Sequence, residues 1–316
     1  MKRNQAYVFP GQGSQFVGML AELAQHHPVV LQTFQVVSDH LGYDVWSLIQ
    51  EGPEQRLNQT EFTQVAMLTA DVAVYKVWQS MHSTQPMIMA GHSLGEYAAL
   101  VCAGALQLEN AAWLVSQRGK IMQAHVPTGK GAMAAIVGLT DAQVEAICSE
   151  ATNEVSQVSP ANFNAIGQVV IAGHTQAVER AIVLAEAQQA RLAKIIPVSV
   201  PCHCALLKEA AHEFAACLAQ VEFKMPEVPV ISNVTAASYT DVASLRSLLQ
   251  SQLYAPVRWV ETIQSMANAG VVEILELGPG KVLTGLIKRI DKTLFAMAIN
   301  DENTLQQALS NEARSE

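Results

Sequence analysis

Apolar residues recur at three- and four-residue intervals over 16–25, 27–41, 62–81, 96–105 and 108–124, the spacing that lines one face of an α-helix. Short continuous apolar runs at 5–10 and 87–90 predict strands instead. The second run leads straight into Gly91-His92-Ser93-Leu94-Gly95 and then a helical stretch, so the pattern predicts strand, turn, helix without a linker. From 131 the texture changes. Strands are predicted at 132–137, 155–162, 168–172 and 193–200, and helices at 140–151 and 175–189. Thr140 or Asp141 caps the first of these helices. Val144, Ile147 and Cys148 share one of its faces, as Val178, Ala181, Ile182 and Ala185 do on the second helix. The order β-α-β-β-α-β within about 70 residues reads as a small inserted domain. After Pro201 longer helices return at 208–220, 242–253, 260–269 and 282–289. Strands are predicted at 228–232 and 272–277, the latter ending in Gly278-Pro279-Gly280. The polar stretch 310–316 is expected to fray.

Composition narrows the class. Half of the 316 residues are apolar and 15% are charged, enough for a sizeable core, and with 6% aromatics that core is aliphatic. A net charge of −9 argues against nucleic acid as a partner. The most apolar stretch, 86–106, is interrupted by His92, Ser93 and Glu96, so no membrane span is expected. Lys2 and Arg3 are followed by few apolar residues before Gly11, and no signal peptide is expected. Five cysteines without a repeated pair spacing read as reduced thiols in a cytoplasm. Cys202-His203-Cys204 is too tight to close a tetrahedral metal site, so no metal is expected.

The chemistry starts at Gly91-His92-Ser93-Leu94-Gly95, a G-x-S-x-G between an apolar strand and a helix. Such a turn projects Ser93 from the sheet, and the helix behind it aims free N–H groups at the reaction centre, with the Leu94 amide as one oxyanion donor. Gly11 and Gly13 in Gly11-Gln12-Gly13-Ser14 allow a second loop to approach a ligand closely. A serine hydroxyl needs a base. Of the nine histidines, His26, His27, His40, His82, His125 and His212 fall on helices or near loops, His174 in a turn of the small domain, and His92 beside the nucleophile on a turn that points neighbours apart. His203 follows a strand and Pro201 at the edge between the two domains, where active sites tend to form. Arg118, in a largely apolar helix, needs an anionic partner: a core carboxylate or the carboxylate of a substrate.

The run Val8-Phe9-Pro10-Gly11-Gln12-Gly13-Ser14-Gln15, the elbow through Glu96, Gln117-Arg118-Gly119, Pro201-Cys202-His203 and Glu276-Leu277-Gly278-Pro279-Gly280 occur in this order. Together, over almost the whole chain, they closely resemble malonyl-CoA:acyl-carrier-protein transacylases of bacterial fatty acid synthesis. The resemblance implies an α/β fold: an α/β-hydrolase-like large subdomain, 1–129 and 201–316, with an inserted ferredoxin-like small subdomain, 130–200. It implies that Ser93 is the nucleophile, that His203 is the base, and that Gln252 orients the base through its backbone carbonyl. Gln12 and Leu94 would form the oxyanion hole, Arg118 would bind the malonyl carboxylate, and Met122 and Asn162 would line the acyl pocket. Lys288 and Arg289, with Arg191 and Lys194, would meet an acidic acyl carrier protein, and the net charge of −9 requires such a local basic patch. Malonyl-CoA is then a substrate, no cofactor is implied, and the chain would work as a monomer. Leu94 after the nucleophile resembles malonyl-selective members. Cys202 stands where the family has Ser, which leaves any polar contact of that Ser in question. The kinetics would be ping-pong. A carboxylesterase or thioesterase on the same elbow would instead hydrolyse its substrate without an acceptor thiol, and a non-catalytic acyl-binding module would form no adduct on Ser93.

Overall fold

The computed structural model describes residues 4–82, 84–127 and 129–314. Its strands, in chain order, are β1 (Gln5–Phe9), β2 (Ile88–Gly91), β3 (Gly131–Val137), β4 (Val158–Ala165), β5 (Gln168–His174), β6 (Leu192–Ile196), β7 (Val230–Ile231), β8 (Glu273–Leu277) and β9 (Phe295–Ile299). They form a five-stranded sheet in the order β7-β2-β1-β8-β9 and a four-stranded sheet in the order β4-β5-β3-β6.

Every pairing in the first sheet is parallel. Helices cover both faces of such a sheet, which is why β1 and β2 are buried along their whole length and read as unbroken apolar runs. The Thr60–Met81 helix is buried through most of its length and packs on the Leu108–His125 helix. Phe9 pairs with Gly91, so β1 and β2 end side by side and bring the Gly11-Gln12 loop to the turn that holds Ser93. A crevice at the carboxyl ends of parallel strands is where α/β sheets bind ligands.

The second sheet is antiparallel throughout. Its order, with the Asp141–Ala151 and Thr175–Ala187 helices on one face, is the ferredoxin-like arrangement. Ala134, Ile136 and Ile171 meet Val144, Ile147, Val178 and Ala181 in a core separate from that of the large sheet. Edge strand β4 touches the large part through a parallel bridge: Phe163 N–H donates to the Val257 carbonyl at 2.9 Å and Val257 N–H to that of Ala161 at 2.8 Å.

Several expected boundaries move, each for a local reason. The first helix begins at Ala21 rather than 16, because Gly18 and Leu20 adopt positive φ. Strand β4 starts at Val158 rather than 155, since the Asn153 side chain captures the amides of Val155 and Ser156 in a turn. Strand β6 stops at Ile196, before Pro197, which has no N–H for the ladder. The expected fraying from 310 is corrected: the Glu302–Arg314 helix spans it, anchored by buried Leu305 and Ala308, and 315–316 lie outside the described residues, as do Lys2 and Arg3. No described helix is long and apolar enough to cross a membrane.

Candidate active site

The strand-to-helix turn after β2 forces Ser93 to φ 52°, a left-handed conformation that a β-carbon disfavours. Neighbouring glycines make the turn possible. A Cβ on Gly91 would sit 1.8 Å from the Gly95 carbonyl carbon, and one on Gly95 2.1 Å from the Phe9 oxygen. The turn's amides are nearly all committed. Ser93 N–H donates to Asn233 Oδ1 at 2.6 Å, Gly95 N–H to the His92 carbonyl and Glu96 N–H to the Ser93 carbonyl. Leu94 N–H makes no hydrogen bond to another described residue, and neither does Gln12 N–H in the facing loop. Gly11 brings that loop so near that a Cβ there would lie 2.4 Å from the His92 oxygen. Two uncommitted amides therefore border the cavity that contains Ser93.

His203 Nε2 lies 2.8 Å from Ser93 Oγ. Its Nδ1 is 2.7 Å from the Gln252 backbone carbonyl. A carbonyl only accepts, so Nδ1 carries the proton and Nε2 is left to receive that of Ser93. Burial, and next the Arg118 charge, push the imidazole pKa down to about 3, so it is neutral at ordinary pH. His92 also borders the cavity, but its Nε2 is taken up by Asn164 Oδ1 at 2.7 Å and its ring stands edge-on to Trp259.

Arg118 is 2% exposed and lines the same cavity. Its Nη1 donates to Gln64 Oε1 at 2.9 Å and its Nη2 to Gln252 Oε1 at 3.0 Å, while its Nε has no partner among the described residues. Both partners are neutral amides, so the choice left open by the sequence falls against a core carboxylate. Glu96 is near enough for its charge to be felt, but no carboxylate among the described residues forms an ion pair with Arg118, and a buried guanidinium bonded only to amides on the wall of a cavity suits an anion. Guanidinium has five donors, and the three unused ones suit a carboxylate held bidentately.

The remaining expected residues divide. Asn162, on β4, is nine-tenths buried and lines the cavity. Met122, one turn beyond Arg118, is fully buried, and its sulfur takes a weak hydrogen bond from Gln64 Nε2, the amide whose oxygen holds Arg118. Cys202 does line the cavity, with its thiol directed to the Val200 carbonyl and its pKa raised by burial, so it remains a protonated, small wall residue. Lys288 and Arg289 are exposed at the end of the Val282–Ile290 helix, whose earlier residues Val282, Leu283 and Leu286 border the cavity. Arg289 Nη1 also reaches Gln168 Oε1 of the small sheet at 2.6 Å. Arg191 and Lys194 are exposed at the start of β6 and within it.

Gln64, Asn164 and Asn233 escaped the sequence reading. Asn233 had a usable signal: it lies two residues past the end of β7, and polar residues at the carboxyl ends of parallel strands face the ligand crevice. Asn233 Nδ2 donates to the Gly91 carbonyl at 2.6 Å while its Oδ1 holds Ser93 N–H, so one amide clasps both sides of the Ser93 turn.

Residues 6–303 match the acyl transferase domain family. A malonyl CoA-acyl carrier protein transacylase of Escherichia coli is 53% identical over 304 residues, covering 96% of this chain and 98% of that one. The crystal structure of an acyl carrier protein S-malonyltransferase from Vibrio cholerae superposes with a TM-score of 0.94 at 53% identity, covering 96% of this chain and 99% of that chain. A malonyl-transacylase solved in complex with a type II PKS acyl-carrier protein superposes with a TM-score of 0.95 at 51% identity, over 97% of this chain and 99% of that chain.

Proposed function

The chain belongs to the acyl transferase domain family, among the malonyl-CoA:acyl-carrier-protein transacylases, and from that premise we propose how its cleft moves a malonyl group. The reaction carries malonyl from malonyl-CoA to the phosphopantetheine thiol of acyl carrier protein and supplies malonyl units for fatty acid synthesis. The observation that carries the assignment of roles is the continuous line Ser93 Oγ, His203 and Gln252 carbonyl beside an Arg118 that has no carboxylate partner.

The malonyl carboxylate lies on Arg118. His203 Nε2 takes the Ser93 proton as Oγ attacks the thioester carbonyl, and the Gln12 and Leu94 amides receive the oxyanion. The C–S bond breaks, the coenzyme A thiolate takes the proton back from His203, and malonyl remains as an ester on Ser93. The carrier protein's thiol then gives its proton to His203, attacks the ester and releases Ser93 with its proton restored. Every step uses this chain's own side chains and amides, with coenzyme A entering only as part of a substrate. Asn162 shapes the acyl end of the cleft, and the exposed Lys288 and Arg289 receive the acidic carrier. We assign 1–129 and 201–316 to the catalytic subdomain and 130–200 to the inserted one, which closes the cleft from the other side. Five free thiols fit work in a reducing cytoplasm.

Intact mass after incubation with malonyl-CoA alone tests the reading. A malonyl-sized increase that is absent from Ser93→Ala, and is discharged by acyl carrier protein faster than by water, is expected. An adduct lost as quickly to water would make the protein a thioesterase, and no adduct would remove the covalent route.

A further inference from the structure

Glu96 is the second residue of the Gly95–Cys102 helix, three positions after the nucleophile, and is 1% exposed. A buried carboxylate needs donors. It has three: Tyr239 Oη on Oε1, and Gln252 Nε2 at 2.6 Å and Asn233 N–H at 3.2 Å on Oε2. None is a cation.

The consequence falls on Gln252. Its backbone carbonyl orients His203, but its side chain has a separate task. Nε2 donates to Glu96 and, at 3.0 Å, to the Ser93 carbonyl, while Oε1 accepts from Arg118 Nη2. A side-chain amide can flip end for end, and its neighbours decide which way it faces. Glu96 Oε2 also accepts from Asn233 N–H, so whether the acid is ionised or carries its proton on Oε1 beside the Tyr239 hydroxyl, it offers Gln252 an acceptor and admits the Nε2 end alone. Reversal would press amide hydrogens against the guanidinium and an oxygen against the carboxylate. Glu96 thus turns the one acceptor of Gln252 toward Arg118.

We propose that Glu96 is a positioning residue for acyl selection, fixing the Gln252 amide so that its oxygen holds Arg118 in the orientation that receives the acyl carboxylate. This rests on the reading of Arg118 as the carboxylate clamp. The arrangement separates two effects. The Ser93 carbonyl contact matters to every acyl group, whereas the Arg118 contact matters only to one with a free carboxylate. The ratio of malonyl to acetyl acylation therefore reports the relay, and a loss of general integrity lowers both rates together.

Single-turnover acylation by malonyl-CoA and acetyl-CoA tests it. Glu96→Leu is expected to lower the malonyl-to-acetyl ratio of kcat/KM about tenfold, the effect of one hydrogen bond to a charged group. Glu96→Gln should restore the ratio, because its oxygen can accept from Gln252 while its nitrogen donates to the Tyr239 hydroxyl. In a Gln252→Leu background, which keeps the backbone carbonyl for His203, adding Glu96→Leu should not lower the ratio further. Equal losses for both thioesters in Glu96→Leu, or a further drop in the double variant, would overturn the proposal. If Glu96→Leu does not fold, Tyr239→Phe takes its place: a ratio lowered about threefold supports the relay and an unchanged ratio refutes it. Arg118→Ala is run alongside. If it leaves the ratio unchanged, the clamp itself is wrong. If it collapses the ratio while the Glu96 and Tyr239 variants do not, only the relay fails.

Discussion

At the scale of single residues the site is a set of solved pairing problems, with one deliberately left open. Ser93, His203, Gln252, Glu96 and Asn233 satisfy one another, and Arg118 keeps three donors for the substrate. Arg118→Ala should cut malonyl acylation about a hundredfold relative to acetyl, the loss of two charge-assisted hydrogen bonds, measured as kcat/KM for the two thioesters. Arg118→Lys should recover little of it, since an ammonium cannot reproduce the planar fork. Two titrations follow from burial. His203 has its pKa lowered to about 3, so the neutral base persists as pH falls, and acylation should show no histidine limb between about pH 8 and pH 5. A half-maximal rate near pH 6.5 would mean a hydrated imidazole. For Glu96 burial outweighs its three donors and the nearby Arg118 charge, and raises the pKa from 4.5 to about 7. The folded protein then binds the proton more tightly than the unfolded chain. The resulting stability is full below pH 4.5 and is lost as pH rises through about 7, a change of about 3 kcal/mol. Denaturant unfolding of wild type and Glu96→Gln should diverge by that amount between pH 4.5 and pH 8, and parallel curves would refute it. Ser93, His203 and Arg118 were legible in the sequence because each breaks a local pattern: a serine in a glycine turn, a histidine after a strand, a cation in an apolar helix. Gln64 and Glu96 were not, because a polar residue on a predicted helix reads as solvent-facing until the fold places a partner opposite.

At the scale of elements, the turn that holds Ser93 stores strain that its glycines make tolerable. Ser93→Gly removes the β-carbon penalty at φ 52° and should leave the protein about 1 kcal/mol more stable than Ser93→Ala, which keeps that penalty; urea midpoints of the two inactive proteins decide it. Gly91→Ala should fare far worse, because its Cβ would overlap the Gly95 backbone at 1.8 Å, with Gly91 held in β2 and Gly95 in the helix start; little folded protein is expected. The same physics explains which elements could be read. The Asp141–Ala151 helix announces itself through the Thr140 and Gln143 capping box, and the parallel strands through unbroken apolar runs. Strand β9, Phe295–Ile299, has only five residues and lies at the sheet edge with Phe295 half exposed, so neither alternation nor a long run marks it. The short Val45–Glu51 helix is capped by Asp44, but a single capping residue before seven positions is too little signal without the packing that stabilises it.

At the scale of the whole molecule, charge and chemistry pull apart. A chain of net charge −9 must meet an acidic carrier protein, so association depends on where the few cations sit rather than on their sum. The Val282–Ile290 helix starts on the cavity and carries Lys288 and Arg289 exposed at its end, the place we propose for the carrier. Arg289 is already engaged with Gln168, which ties the helix to the small sheet, whereas no such contact is seen for Lys288 among the described residues. Ping-pong turnover lets the two roles be measured apart. Lys288→Glu should raise the KM for acyl carrier protein about tenfold at low salt and leave acylation by malonyl-CoA unchanged, because only the second half-reaction involves the carrier. Arg289→Glu should do both: weaken carrier binding and, by releasing the small sheet from the helix that borders the cleft, admit water to the malonyl ester and raise its hydrolysis. Added salt should erase the carrier effect of each substitution, since exposed charges are screened over about 10 Å at 0.1 M, but it should leave the hydrolysis untouched, because a mechanical tie does not depend on the ionic atmosphere. If both substitutions respond alike to salt in both assays, the helix end is only a charged surface and the cleft is held closed elsewhere.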